Sequence, residues 1–209
     1  MDDHHAYRMF PDRRKWFNKL WLAEDLGYEC GPSGIAPSKS GYYIVRPVMN
    51  LSGMSVGAKK KYIEAGDMSA TPPGYFWCEW FEGPQYSVTY EWMGFWKQLS
   101  CYLGERDENN LYRFRRWARI DDMKFEPGLL FDEISDSSVS TLNIEFIGDR
   151  IIEVHLRDTP DPNYKELIPI WEDNTILVDK YEKLGYTYIE SHDDADGFLD
   201  IPRIGFMIK

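Results

Sequence analysis

Two short apolar runs, Leu142 to Ile147 and Ile151 to Leu156, flank Gly148 and Asp149, a pattern that predicts a β-hairpin closed by a tight turn. Residues two apart on a strand share a face, so Glu145 on one strand can meet Glu153, His155 and Arg157 on the other. Three chelating side chains and one cation would then converge. Carboxylates placed side by side repel unless a cation neutralises them, and magnesium takes a few oxygens from protein and the rest from water or phosphate. The same alternation also describes a plain hairpin with one solvated face.

Upstream, Leu51 to Ala58 carries Gly53 and Gly57 with Ser52 and Ser55. That composition lets backbone N–H groups turn toward a phosphate, and it equally fits an ordinary turn. Arg46 stands mid-strand just before this loop, where a buried guanidinium needs an anion, either a ligand or a carboxylate of the fold. The run Arg113, Arg115, Arg116 and Arg119 reads as a solvated strand face or as a clamp for an anion.

The elements that must position these groups follow from periodicity. From Asp12 to Leu26, apolar residues at Trp16, Phe17, Leu20, Trp21 and Leu22 predict an amphipathic helix stopped by Gly27. The Gly/Pro/Ser-rich GPSGIAPSKSG leads into a strand at Tyr42 to Val48. Tyr75 to Trp80 and Tyr86 to Trp92 are further strands, expected to pair as a hairpin about Gly83 and Pro84. A helix at Thr175 to Leu184 and a last strand within Gly197 to Lys209 complete the pattern.

With 209 residues, 43% hydrophobic and 16% aromatic, the chain has the apolar content for a sizeable core and none of the composition of a disordered segment. It shows no run of eighteen apolar residues and no apolar segment behind its first charges, so neither a spanning helix nor a secretory signal is expected, and the cytoplasm is the expected compartment. Cys30, Cys78 and Cys101 lack disulfide or zinc spacing and are expected to be free thiols. Residues 1–120 hold 16 basic against 14 acidic side chains and the remainder 8 against 21, giving −11 in all, which argues against a general nucleic-acid coat.

Taken in order, these segments resemble the ATP-grasp superfamily, the fold of D-alanine–D-alanine ligase and its carboxylate–amine ligase relatives. RKWFNKLWLAEDLG, with Lys15 and Lys19 one turn on, is similar to that family's lysine-bearing helix, and YIVRPVMNLSGMSVGA to its strand and phosphate loop. FWCEWFEGPQYSV is similar to its adenine-side strand, and NIEFIGDRIIEVHLR to its metal hairpin. The matches span Lys15 to Arg157. Arginine at position 46 in place of the strand lysine resembles an arginine-for-lysine clade found in phages and bacteria, so a host cytoplasm would be the compartment of a phage protein.

The resemblance implies an α+β, two-lobed fold of mostly antiparallel sheets with ATP between the lobes. It implies one unit over 1–209, with a small lobe at 40–85, a larger lobe at 86–209 joined by the helix at 12–26, and no preceding substrate domain. Carried over residue by residue, Lys15 and Arg46 would contact ATP phosphates, and the amides of Met54, Ser55 and Val56 would cap them. Glu79, Trp80, Phe81 and Glu82 would line the adenine, and Gln85 stands where a glutamate usually holds the ribose. Glu145 and Glu153 would bind Mg2+. His155 stands in the place of an asparagine ligand, and its nitrogen suits Mn2+ or zinc better. Arg157, with Arg46, would face the transferred phosphoryl group.

The implied function is an ATP-dependent carboxylate–amine (or carboxylate–thiol) ligase working through an acyl phosphate, which requires no side-chain nucleophile. Its partners would be a small-molecule or peptide carboxylate and an amine, with a protein that delivers the substrate as a further candidate. Two alternatives stand beside it: a nucleotide-binding interaction protein without turnover, and a nucleotidyl transferase acting on nucleic-acid ends.

Overall fold

The computed structural model describes residues 1–107, 110–134 and 138–209. The chain opens with α1 (Asp3–Met9), a 3-10 helix (Pro11–Phe17) and α2 (Lys19–Asp25). Next come β1 (Cys30–Pro32), β2 (Gly41–Pro47), β3 (Lys59–Ile63) and β4 (Tyr75–Glu79), which form an antiparallel sheet in the order β1-β4-β2-β3. The second sheet draws on β5 (Gln85–Trp92), β6 (Trp96–Arg106), β7 (Phe114–Arg119), β8 (Thr141–Ile147), β9 (Arg150–His155), β10 (Glu166–Trp171), β11 (Thr187–Asp193) and β12 (Arg203–Ile208). Its order is β11-β12-β10-β7-β6-β5-β8-β9. Helix α3 (Leu129–Ile134) precedes β8, and α4 (Ile176–Glu182) packs beside β11 and β12. Among the described residues no helix is long and apolar enough to cross a membrane.

The expected helix over 12–26 is broken. Asn18 adopts an extended backbone (φ −88, ψ 100), and its side chain accepts the Trp21 N–H at 2.9 Å, so it caps α2 instead of continuing the first segment. Gly27, at φ +72, ends α2 as expected from its freedom in the left-handed region. The expected β4–β5 hairpin does not form either. β4 pairs with β1 and β2, whereas β5 pairs with β6 and β8, so Gly83 and Pro84 carry the chain from one sheet to the other. Both strands have well-matched apolar faces; the difference lies in the cores that receive them. The last strand is also shorter than the range expected for it, beginning at Arg203.

Helix α2 ties the sheets together. Leu22 enters the core under β5, β8 and β9 with Trp16, Val88, Ile144 and Val154, while Ala23 packs against Phe76 and Cys78 of the small sheet. Burial of this interlocking apolar surface is what holds the two sheets at a fixed separation. The three thiols are free, and Cys30 and Cys78 are cross-strand partners in the β1–β4 pair.

Candidate active site

Between the small sheet, α2 and the β8–β9 end of the large sheet lies an open cleft. Arg46, at the end of β2, lines it. Its Nη2 donates to the Ile152 carbonyl at 2.9 Å, its guanidinium lies 5.3 Å from the centre of the Phe76 ring, and its Nε has no hydrogen-bond partner. Burial is the main influence on this guanidinium and lowers its pKa, with Cys78 and Glu145 working against it. A charge so placed, satisfied by one carbonyl, has capacity left for an anion.

The sequence pointed to Lys15, but the structure puts Lys19 in the cleft. Lys15 is exposed on the 3-10 helix, paired with Glu133 and stacked over Trp21 at 4.5 Å, and it lines no part of the cleft. The break at Asn18 turns the α2 face inward, so Lys19 is buried and ion-paired with Glu153. Burial, with Arg46 nearby, lowers the Lys19 ammonium, while Glu145 and Asp3 oppose the shift.

The glycine-rich loop closes the cleft beside Arg46. Gly53, Met54, Ser55 and Gly57 all have positive φ (73, 52, 51 and 76), a backbone that turns successive amides to one side. Gly57 is required on two counts, since a Cβ there would meet the Tyr75 hydroxyl at 2.7 Å in a left-handed conformation. Ser55 and Val56 line the cleft, and Met54 faces two neighbouring cavities. The Val56 amide is not available as expected: it donates to the Gly53 carbonyl at 3.2 Å and closes the turn.

Opposite the loop, Glu79, Trp80 and Phe81 line the cleft at the end of β4. Glu82 does not. It is exposed, accepts from the Trp80 indole at 2.7 Å and sits 3.5 Å from Lys60, because the chain is already leaving for the second sheet. Gln85 is also displaced from its expected place. Its amide donates to Glu145 at 2.8 Å and accepts from Arg106, which sets it in the floor of an adjoining cavity. Arg106 lines the main cleft, and the sequence held no signal for it beyond its position at the end of β6. The arginine run lies along and just before β7, with Arg113, Arg115, Arg116 and Arg119 paired to Asp173, Asp107, Glu105 and Asp121.

The hairpin forms, and a β-bulge at the Glu145–Phe146 step brings Glu145 directly opposite Glu153. Both carboxylates line one cavity, yet each is engaged: Glu145 by Gln85, Glu153 by Lys19. His155 is held at its Nδ1 by Asp3 at 2.8 Å, and its Nε2 stands 3.8 Å from Glu153. Among the described residues no group of three His, Cys, Asp or Glu side chains is assembled to hold a metal ion. Two facing carboxylates, each with a second oxygen, still fit magnesium, which draws its other ligands from water and phosphate. Arg157 is buried and faces Asp3, not an open phosphate seat.

No protein-family model and no curated protein matches this sequence. Among solved structures, the chain is similar in fold to N5-carboxyaminoimidazole synthetase from Staphylococcus aureus, with a TM-score of 0.55 and 10% identity over 92% of this chain and 66% of that one. It is also similar to an ATP-grasp superfamily protein from Archaeoglobus fulgidus (TM-score 0.43, 16% identity, 70% and 47% covered). L-amino acid ligase from Bacillus licheniformis is a third (TM-score 0.45, 13% identity, 69% and 41% covered). The chain spans about two-fifths to two-thirds of the length of these proteins. At such identity the likeness is one of fold alone.

Proposed function

We propose that this chain binds Mg–ATP in the cleft between its sheets and is an ATP-dependent ligase. The observation that carries the reading is the cleft itself, with Arg46, Lys19, Ser55 and Val56 on one side, Glu79 to Phe81 on the other, and Glu153 at its end, across the β8–β9 pair from Glu145 of the adjoining cavity. The likeness of fold to a synthetase supports the same class of chemistry.

On this reading Arg46 and Lys19 hold the phosphates, with the amides of Met54 and Ser55 turned toward them, while Trp80 and Phe81 cover the base. Glu145 and Glu153 would hold Mg2+, which supplies charge neutralisation for the phosphates. The protein's part is to orient groups and exclude water, since phosphoryl transfer from ATP to a carboxylate needs no protein nucleophile. The substrate carboxylate oxygen attacks the γ-phosphorus and ADP leaves. An amine or thiol then attacks the acyl carbon, phosphate leaves, and the attacking group loses its proton.

Calorimetric titration of ATP with and without Mg2+, followed by an ADP-release assay on mixtures of carboxylic acids and amines, tests the proposal. Tight Mg2+-dependent ATP binding with acid-stimulated ADP release is the expected result; absence of nucleotide binding would sink it. One observation favours a second reading, a nucleotide-binding protein without turnover: Arg157 is occupied by Asp3. Nucleotide binding without ADP release under any acid and amine pair would select that alternative.

A further inference from the structure

Asp3, in the first turn of α1, is 2% exposed and holds the Arg157 guanidinium side-on. Nε donates to its Oδ1 at 2.7 Å and Nη2 to its Oδ2 at 2.8 Å, while His155 Nδ1 lies 2.8 Å from the same Oδ2. Arg157 Nη1 donates to the Asp158 carbonyl at 2.9 Å, so every nitrogen of this guanidinium is in use. Two parallel N–H···O bonds to one carboxylate are the geometry in which arginine recognises a carboxylate or phosphate group of a ligand. Asp3 and Arg157 also stand on the wall of a cavity of about 540 Å³ that reaches Met54 of the glycine loop and Glu145.

The segment that delivers Asp3 is short and held mainly by polar contacts at its start. Helix α1 has seven residues, too few to be stable alone. Ala6 and the Tyr7 ring, 5.4 Å from Phe17, anchor its second half in the core, whereas the first turn is held at the surface, by His4 Nε2 against Asp196 at 3.1 Å and by the Asp2 cap on the His5 amide, besides the Asp3 contacts. The first turn can thus lift while the rest stays docked.

We propose that Asp3 is an internal stand-in for the anionic group of the substrate: α1 seats its carboxylate in the Arg157 fork, and a small oxyanion arriving through the larger cavity displaces it. The fork thereby selects for groups that present two oxygens, either the substrate's carboxylate or the phosphoryl group in transfer. The proposal rests on the ligase reading of the cleft for its meaning, and on the Asp3–Arg157 geometry for its existence.

The test uses the full chain and two probes, inorganic phosphate and acetate, at constant ionic strength. Asp3→Asn keeps the shape and removes the competing charge, so it should bind a probe oxyanion about tenfold or more tightly than the parent, the scale of one charge-assisted bond pair. Adding Arg157→Gln to that variant should abolish the gain. A gain with acetate assigns the seat to the substrate carboxylate, and one with phosphate alone assigns it to the phosphoryl group. No gain with either probe, or a gain that survives Arg157→Gln, overturns the proposal. Should Asp3→Asn fail to fold, hydrogen exchange on the parent decides: the first-turn amides, through Ala6, should exchange faster at saturating probe, and unchanged or slower exchange there rejects displacement. An Mg–ATP titration on the same proteins reports on the nucleotide site alone. Failed nucleotide binding beside a positive oxyanion result would count against the ligase reading and not against the stand-in.

Discussion

Glu145 and Glu153 stand opposite each other across the β8–β9 pair, and each is held by a different neighbour, Glu145 by Gln85 from β5 and Glu153 by Lys19 from α2. The hairpin is therefore joined to both the sheet and the helix that close the cleft. Glu153→Gln is expected to weaken Mg2+-dependent ATP binding by about tenfold or more, the scale on which metal sites respond to loss of a supporting group. It also leaves buried Lys19 without its carboxylate, at a stability cost on the order of 1–3 kcal/mol. A magnesium titration at fixed ATP, with urea unfolding alongside, checks both; an unchanged titration removes this pair from the site.

Arg46 separates a ligand role from a structural one. Arg46→Lys keeps the charge and loses the fork, and should reduce ATP affinity by about 1–2 kcal/mol. Arg46→Met should reduce affinity further while leaving the melting temperature unchanged or raised, because it deletes a buried charge whose partner is one carbonyl. Lower melting temperatures with unaltered ATP affinity in both variants would make the arginine purely structural.

The two lysines on either side of the Asn18 break should behave differently. Lys15→Met removes an exposed ion pair, worth less than about 1 kcal/mol, and should leave ATP affinity alone. Lys19→Met removes a buried cation of the cleft and should lower ATP affinity by roughly tenfold. Paired calorimetric titrations decide; equal effects would contradict the placement of Lys19.

Acid should weaken the Asp3 contact in a defined direction. Burial alone would raise the Asp3 carboxyl, but His155 and Arg157 outweigh it and hold the group well below the usual carboxylate range. A carboxyl depressed in the folded state binds fewer protons there than in the unfolded chain, so its stabilising contribution is complete above the unfolded value, about 3.9, and declines as pH falls below it. The stability gap between the parent and Asp3→Asn should hold from pH 7 to about 5 and narrow by about pH 3. Urea unfolding of both proteins across that range measures it, and a gap that widens in acid would contradict the assigned ion pair.

The local part of this protein was legible in its sequence. The apolar runs about Gly148 and Asp149 marked the β8–β9 hairpin, but a bulge at the Glu145–Phe146 step, which alternation along a strand does not record, sets Glu145 opposite Glu153. The β2 strand ending in Arg46, the glycine loop and the apolar end of β4 were likewise encoded by residues close in sequence, and their order carried the ATP-grasp resemblance. Tertiary structure decided the partners. Lys19 replaced Lys15 because a polar break at Asn18, stabilised by one cap, reorients the helix face that meets the core. β4 and β5 went to different sheets because each apolar face was filled by a different core. Asp3 met Arg157 across 154 positions, an ion pair fixed by where α1 docks and by the need of a buried guanidinium for an anion, which no spacing along the chain records.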